Sequence, residues 1–417
     1  MPNLGKHSRI LKFSVLGLII AWILLGSVRI YLFPKYAQYI YFFPGVFFII
    51  ILFYGLIQFK TIKYFSVFFL YIYILIFFQS IHYIVGDITW ITFIYGLFLY
   101  AGPLTLLLTN VFIQTEEYFV YFSRVVLIFI PVNFILAILQ TAIPNSNFNR
   151  SFNGLQHLTT SGGTIRAFGT FSSAQGLSIY LLIALCFNLF NMSRRQEPFQ
   201  RIVFFQILIL ILLNGSRTTL FYSILTITVA LFLGRNRIQG SWLVTGKNLV
   251  VPLVAAFITI SLFLPEIITN FVIRVTTANS QERTFDRLIE TLTFEVTDYD
   301  SIFGLGLGSA GIGSLNYNSE LGWIENNSQR VVAEGGVLLA LFLYILRFLI
   351  LVILIKRCFW GNSDFNFFGK LAISATGPQF IGGELFGQGS VSIALWLLYT
   401  LLFSRSKTDK VFSGKSN

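Results

Sequence analysis

Long apolar runs dominate this sequence and restrict the folds it can adopt more than any other feature. Twelve runs have about the length that a bilayer-spanning helix needs, while only 11% of the 417 residues are charged. A water-soluble core of this size could not bury so much apolar surface. The sequence therefore predicts an all-α polytopic membrane protein in which 1–417 form a single integral membrane domain. The predicted spans are 12–31, 39–59, 64–85, 88–109, 118–143, 170–191, 200–214, 216–234, 248–265, 335–355, 366–383 and 388–404.

The positions of the basic residues explain the net charge of +12. If the N-terminus lies inside, and the boundary residues Lys12, Arg201 and Arg217 are counted with the loops they adjoin, 17 of the 29 Lys and Arg residues fall in inner segments and 8 in outer loops. Short cytoplasmic loops carry such an excess in membrane proteins. We therefore expect both termini in the cytoplasm and contacts with membrane lipids, and we expect no nucleic-acid partner.

Two predicted outer loops hold most of the polar chemistry. A smaller extracytoplasmic loop covers 144–169, and a large one covers 266–334 and contains 10 of the 17 acidic residues. The protein is therefore expected to work at its extracytoplasmic face. His, Cys and carboxylate residues lack metal-ligand spacing, so the sequence predicts no metal site. Cys186 and Cys358 are expected to be free thiols.

The outer arginines are the strongest candidates for binding an anion. Arg217 lies in Asn214-Gly-Ser-Arg-Thr-Thr219, a predicted tight turn whose backbone N–H groups and hydroxyls start a helix. Such a start favours a bound anion, and a guanidinium matches phosphate oxygens in pairs. The alternative is that an arginine at a membrane boundary only extends to water or lipid phosphate.

The segment 281–294 predicts an amphipathic helix within the large loop. Its apolar residues recur at helical spacing, and Arg283 and Arg287 share another face. One interpretation is a surface helix lying on the membrane with solvated charges. The other is a pair of cations directed at an anionic lipid head.

Polar and glycine-rich residues precede the tenth predicted span. The G-x-G-x-x-G match within 304–313 lacks the βαβ context of a dinucleotide site, so we expect a flexible turn that lets loop and substrate approach closely. Glu325, Arg330 and Glu334 either anchor the following helix or include a general base. Arg347 lies deep in that span, where an isolated cation is costly, and is expected to face the bundle interior.

These motifs, in this order, resemble the bacterial O-antigen ligase and O-antigen or exopolysaccharide polymerase superfamily. The resemblance covers about 160–340. In ligases of this family a His-Asn pair is usual where this chain has Glu325-Asn326, and this departure favours a polymerase. The matching stretches are Arg166-Ala-Phe-Gly-Thr-Phe171, Gly215-Ser-Arg-Thr-Thr-Leu220, the Arg283 and Arg287 helix, Ile302-Phe-Gly-Leu-Gly-Leu-Gly-Ser309, and Glu325-Asn326 with Arg330 and Glu334-Gly335.

The resemblance implies a GT-C-like membrane glycosyltransferase in the bacterial inner (plasma) membrane. Its donor is a polyprenyl-diphosphate-linked oligosaccharide, it needs neither a metal nor another cofactor, and its partners are the flippase and chain-length regulator of the same pathway. A ligase that transfers glycan to a lipid acceptor is the first alternative, and a flippase or exporter of lipid-linked glycan is the second. The resemblance assigns Glu325, Arg217 and Arg287 to catalysis, and Arg166, Arg283, Arg330, Ser216 and Asn326 to binding of the diphosphate or glycan.

Overall fold

The computed structural model describes nine stretches of the chain, and all regular structure in them is helical. They cover 4–57, 65–111, 115–143, 166–194, 198–234, 302–310, 327–359, 364–377 and 389–403, and five single positions are described besides. The α-helices in these stretches are α1 Leu4–Ser27, α2 Ala37–Ile40, α3 Phe43–Ile57, α4 Phe65–Val85, α5 Trp90–Tyr100, α6 Thr115–Ile128, α7 Ile130–Ala142, α8 Ala174–Arg194, α9 Pro198–Asn214, α10 Arg217–Gly234, α11 Asn327–Phe359, α12 Asp364–Thr376 and α13 Gly389–Phe403.

Several of these helices are long and apolar enough to cross a membrane. Within the described stretches four spans meet that test, or five if one bent pair counts as a span. The prediction of an all-helical protein with membrane-compatible helices is thereby confirmed. The number of twelve spans and the GT-C-like architecture stay predictions, and the run 248–265 lies almost entirely outside the described residues. The four spans are Arg9–Leu32, Glu117–Ala142, Ala174–Arg194 and Gln329–Phe359.

Helix α8 forms the centre of the bundle. It packs against α6, α9, α10, α12 and α13, and 83% of its apolar window is buried, compared with 33% for α11. A helix that is apolar on every side is stable only when it is surrounded by other helices or by lipid. This difference in burial places α8 inside the protein and shows that much of the α11 surface lies on the outside of the bundle.

One predicted span is broken, and another is a single span whose helix is interrupted at one residue. The fourth consists of α5 and the 3₁₀ helix Pro103–Val111, which meet at an angle of 43°. Pro103 has no backbone N–H and disfavours helical geometry in the residue before it, so α5 ends just before Gly102 and Pro103. The fifth is interrupted between α6 and α7, where Pro131 stands in the first turn of α7.

Arg347 lies inside the bundle, as its depth in the sequence predicts. Its side chain is only 1% exposed, and its guanidinium lies 5.1 Å from the centre of the Tyr344 ring. A cation over an aromatic face is stabilised by the ring's quadrupole. The structure thus supplies one contact for this arginine that the sequence could not name.

Candidate functional site

Segments that the sequence predicts on the outer side meet at one end of the bundle. Here α1, α7 and α9 end and α8 and α10 begin, and this end is referred to as the loop end. The backbone N–H of Ser27 donates to Thr170 O at 2.8 Å, and that of Ala167 donates to Leu213 O at 3.3 Å. The described part of the smaller loop, 166–169, is therefore tied to α9, and residues 170–173 that follow it are tied to α1.

The turn between α9 and α10 places Arg217 at the start of a helix. Gly215 has a φ of 65°, a left-handed conformation that glycine adopts readily. Ser216 then caps α10, because its Oγ accepts from Thr219 N at 3.3 Å. The first N–H groups of a helix make no bond to its own carbonyls, and here Ser216 accepts from that of Thr219. Binding of an anion beside Arg217 stays a prediction.

Arg166 is brought to the same turn. Its Nε donates to the carbonyl of Asn214, 3.2 Å away, three residues before Arg217 in the chain. Both arginines are partly exposed, so each has access to a ligand. The structure therefore brings Arg166 to the turn that carries Arg217, which lies 51 positions later in the chain.

Asn214 holds this arrangement together. Its side-chain amide is fully buried and donates to Ala167 O at 3.1 Å and to Ala174 O at 2.9 Å. Its Oδ1 accepts from Ser178 Oγ at 2.8 Å. One side chain thereby joins the end of α9, the loop and the start of α8.

Two further buried amides hold the loop from α7. Gln140 Oε1 accepts from the N–H groups of Phe168 and Gly169 at 3.0 and 2.9 Å, and its Nε2 donates to Gly169 O at 3.0 Å. Asn133 Oδ1 accepts from the N–H and the hydroxyl of Thr170 at 2.9 and 3.1 Å. With Asn214 these residues form what is referred to as the amide clamp, which gives the Arg166 loop a fixed backbone.

Replacing Gln140 by leucine should destabilise the protein. The buried N–H groups of Phe168 and Gly169 and the carbonyl of Gly169 would lose their hydrogen-bond partner. Each buried polar group left without a partner costs about 1–3 kcal/mol. We expect the free energy of unfolding in detergent to fall by about 3 kcal/mol. Thr141→Val is the matched control, because the Thr141 hydroxyl bonds only to carbonyls of its own helix among the contacts found. Equal stability of the two variants would contradict the clamp.

Glu334 anchors the start of α11. It is 1% exposed, its Oε2 accepts from the Tyr100 hydroxyl at 2.6 Å, and its Oε1 accepts from Ala310 N at 3.1 Å. Arg330, one turn earlier, is 3% exposed and interacts electrostatically with this carboxyl group. The pair fits the anchoring interpretation, and contact of Arg330 with a substrate stays a prediction.

The glycine-rich turn is packed against the protein itself. Leu305 N donates to Ala333 O and Gly306 N donates to Glu334 O, each at 2.9 Å. Gln79 bonds both the N–H and the carbonyl of Leu307, at 2.7 and 2.9 Å. The glycines of 302–310 therefore let backbone approach backbone, and the approach of a substrate to this turn stays a prediction.

The kink in α11 at Gly336 lets the helix pack closely against the glycine-rich turn. Gly336 has φ 67° and ψ 177°, a combination almost confined to glycine, and an added Cβ would lie 2.2 Å from Ile302 O. Gly336→Ala should therefore lower the free energy of unfolding by about 3 kcal/mol or more. Gly86→Ala is the control, because Gly86 has φ 92° but an added Cβ meets nothing within 4 Å. We expect only about 1 kcal/mol there, and equal losses would argue against the close packing.

Arg29 and Tyr41 are not among the residues that the sequence singles out. The side chain of Arg29 is 5% exposed, its Nε donates to Ala37 O at 2.9 Å, and its guanidinium lies 4.8 Å from the centre of the Tyr41 ring. Arg330 also interacts electrostatically with Tyr41. The sequence signal for Arg29 is a cation inside the first apolar run, two residues before its end.

Four predicted site residues lie outside the described residues. They are Arg283, Arg287, Glu325 and Asn326, as is the predicted helix 281–294, and their roles stay predictions. Among the residues that the structure does describe, no three His, Cys, Asp or Glu side chains are grouped as a metal site requires.

Comparison of the chain with protein-family models and with curated proteins gives no match.

Proposed function

We propose that this chain is a membrane glycosyltransferase that polymerises a bacterial surface polysaccharide such as O-antigen, capsule or exopolysaccharide. The observation that carries the proposal is the joint placement of Arg166 and Arg217 at the capped start of α10. Two guanidinium groups and a helix N-terminus at one turn suit a diphosphate. We assign this diphosphate to a polyprenyl lipid because the ordered motifs resemble the polymerase and ligase superfamily.

In the proposed reaction a sugar hydroxyl of one lipid-linked repeat unit attacks the anomeric carbon of another. The new glycosidic C–O bond forms as the bond to the polyprenyl diphosphate breaks, and the bonding electrons leave with the diphosphate. Fixed cations stabilise this charge as it develops, a role we give to Arg217 and Arg287, with Arg166, Arg283 and Arg330 holding the donor.

Glu325 accepts the proton of the attacking hydroxyl, and attack from the face opposite the diphosphate inverts the anomeric carbon. Ser216 and Asn326 contribute hydrogen bonds to the bound donor. This assignment places the reaction at the extracytoplasmic face, where the predicted topology puts both outer loops, and uses the lipid-linked oligosaccharide as the sole energy source.

Deletion of the gene and gel analysis of the surface glycan test the proposal. Short lipid-linked units without long chains are the result expected of a polymerase. Long chains that remain unattached to their final lipid acceptor would instead identify a ligase. Lipid-linked units confined to the cytoplasmic leaflet would identify a flippase or exporter and would overturn the transferase proposal.

A further inference from the structure

Cations lie over phenylalanine rings at the end of the bundle opposite the loop end. This end, where α8, α11 and α13 end and α9 and α12 begin, is referred to as the basic end. The cationic groups lie 5.6–5.8 Å from the ring centres, which is within the range of a cation–π contact. These contacts give the cations defined places on the protein. The pairs are Arg194 with Phe190, Arg357 with Phe403, and Lys370 with Phe359.

Two lysines from different helices meet at Phe359, the last residue of α11. The Nζ of Lys370, on α12, lies 5.7 Å from the centre of the Phe359 ring. Lys356 stands three residues before Phe359 in α11, and residues three apart are neighbours on a helix surface. The ring is 52% exposed, Lys356 is exposed and Lys370 is partly exposed. Both lysines can therefore reach a group that lies on this ring.

The positive charge at the end of α11 is not neutralised by the described part of the chain. Arg357 and Lys370 both interact electrostatically with the thiol of Cys358. This residue packs closely on α12, since a Cβ added at Gly369 would lie 2.5 Å from its Sγ. Neither of the ion pairs found among the described side chains includes Lys356, Arg357 or Lys370. Because like charges repel, an anion bound among these cations would be stabilised.

An exposed apolar stripe leads along α11 to the same cations. Its members recur at i, i+4, i+7 and i+11, which places them on one face of the helix, and they are 40–65% exposed. At 1.5 Å per residue the stripe is about 16 Å long, close to half of the roughly 30 Å hydrocarbon core of a bilayer. The stripe therefore matches an acyl chain of one leaflet in length and in polarity. Its members are Phe348, Val352, Ile355 and Phe359.

We propose that the end of α11 binds an anionic phospholipid, with its phosphate between Lys356 and Lys370 and one acyl chain along the apolar stripe. Each ammonium group has three donors and no acceptor, and phosphate oxygens accept hydrogen bonds. A lipid fits better than a free phosphate ion, because the stripe and the two lysines meet at the same ring. The inference does not depend on the proposed transferase reaction, which is assigned to the opposite end of the bundle.

Lipid binding to the purified full-length protein in a maltoside detergent tests this, followed by native mass spectrometry. The probes are dioleoyl phosphatidylglycerol and dioleoyl phosphatidylcholine, which share their chains and differ in the net charge of the head group. We expect phosphatidylglycerol to bind at least about tenfold more tightly. One lysine beside anionic lipid contributes about fivefold in affinity. Lys356→Gln and Lys370→Gln should therefore each weaken phosphatidylglycerol binding about fivefold, and the double variant about 25-fold, with phosphatidylcholine binding unchanged.

Arg201→Gln is the matched control, because Arg201 is an exposed cation on α9 at the same basic end, and it should bind both lipids like wild type. A loss in Arg201→Gln equal to that of the double variant would show a general attraction to the basic end and would overturn the site at α11. Equal affinity of the wild-type protein for the two lipids, or unchanged affinity in the double variant, would overturn it as well.

Discussion

Arg217→Lys is expected to lower polymer formation at least about a hundredfold while the protein still inserts and folds. Lysine keeps the positive charge at the first position of α10, but it cannot offer two parallel N–H groups to a diphosphate. Loss of one preorganised donor to a developing negative charge typically costs 10²–10³ in rate. The helix itself should persist, because its cap is Ser216 rather than Arg217. Turnover is measured with purified protein and lipid-linked repeat units at equal amounts of folded protein.

The competing interpretation is that Arg217 only reaches toward water or lipid phosphate at the membrane boundary. A lysine extends to the interface equally well, so that interpretation requires near-normal turnover in Arg217→Lys. Arg194→Lys serves as the matched control, since it makes the same change at the other end of α8 and should leave turnover unchanged. Near-normal polymer in the Arg217 variant would remove Arg217 from the proposed site.

The helical part of the fold is predictable because neither lipid nor the protein interior offers water to the backbone. In both places the chain has to satisfy its own N–H and C=O groups. A run of about 20 apolar residues has one stable solution in such surroundings, a helix that satisfies its own backbone. The same argument placed Arg347 inside the bundle, since a cation at that depth needs protein around it. The break at Gly102 and Pro103 is also encoded locally, although the apolar run 88–109 predicts one continuous span.

The amide clamp could not be predicted because its amide side chains and the backbone groups they bind lie in different segments of the chain. Gln140 and Asn133 are two polar residues in an apolar helix, and nothing in their own segment indicates which backbone groups they bind. Their partners in Phe168–Thr170 become apparent only when the packing of α7, α8 and α9 is known. The sequence thus located Arg166 and the Arg217 turn, but it did not reveal what holds them in place.

The glycine run illustrates a related ambiguity. A positive φ permits close approach, but the sequence does not say what approaches. In the structure the approaching groups are the backbone of α11 at Ala333 and Glu334 and the side chain of Gln79. Glu334, one of two carboxylates expected at the mouth of that helix, is committed to the same packing, and the role of Glu325 stays a prediction.

Glu325→Gln is expected to cut turnover at least about a hundredfold with little change in donor binding. Glutamine preserves shape and hydrogen bonding but cannot accept the proton of the attacking hydroxyl. General base catalysis typically contributes 10²–10⁴-fold, or roughly 3–5 kcal/mol of barrier. Glu325→His should retain part of the activity, because a neutral imidazole accepts a proton near pH 7. Steady-state turnover and donor affinity are measured separately, so that a loss of binding is distinguished from a loss of chemistry.

Glu320→Gln is the matched control, since it removes another carboxylate of the same outer segment and should leave turnover unchanged. If Glu325 instead only positions Arg330 or anchors the start of α11, its effect has to appear in folding. Glu325→Ala would then lower the amount of folded protein, while Glu325→Gln would keep turnover within a few-fold of wild type. That second pattern would defeat the assignment of Glu325 as the base and would leave Arg217 and Arg287 as the proposed catalytic residues to be tested by substitution.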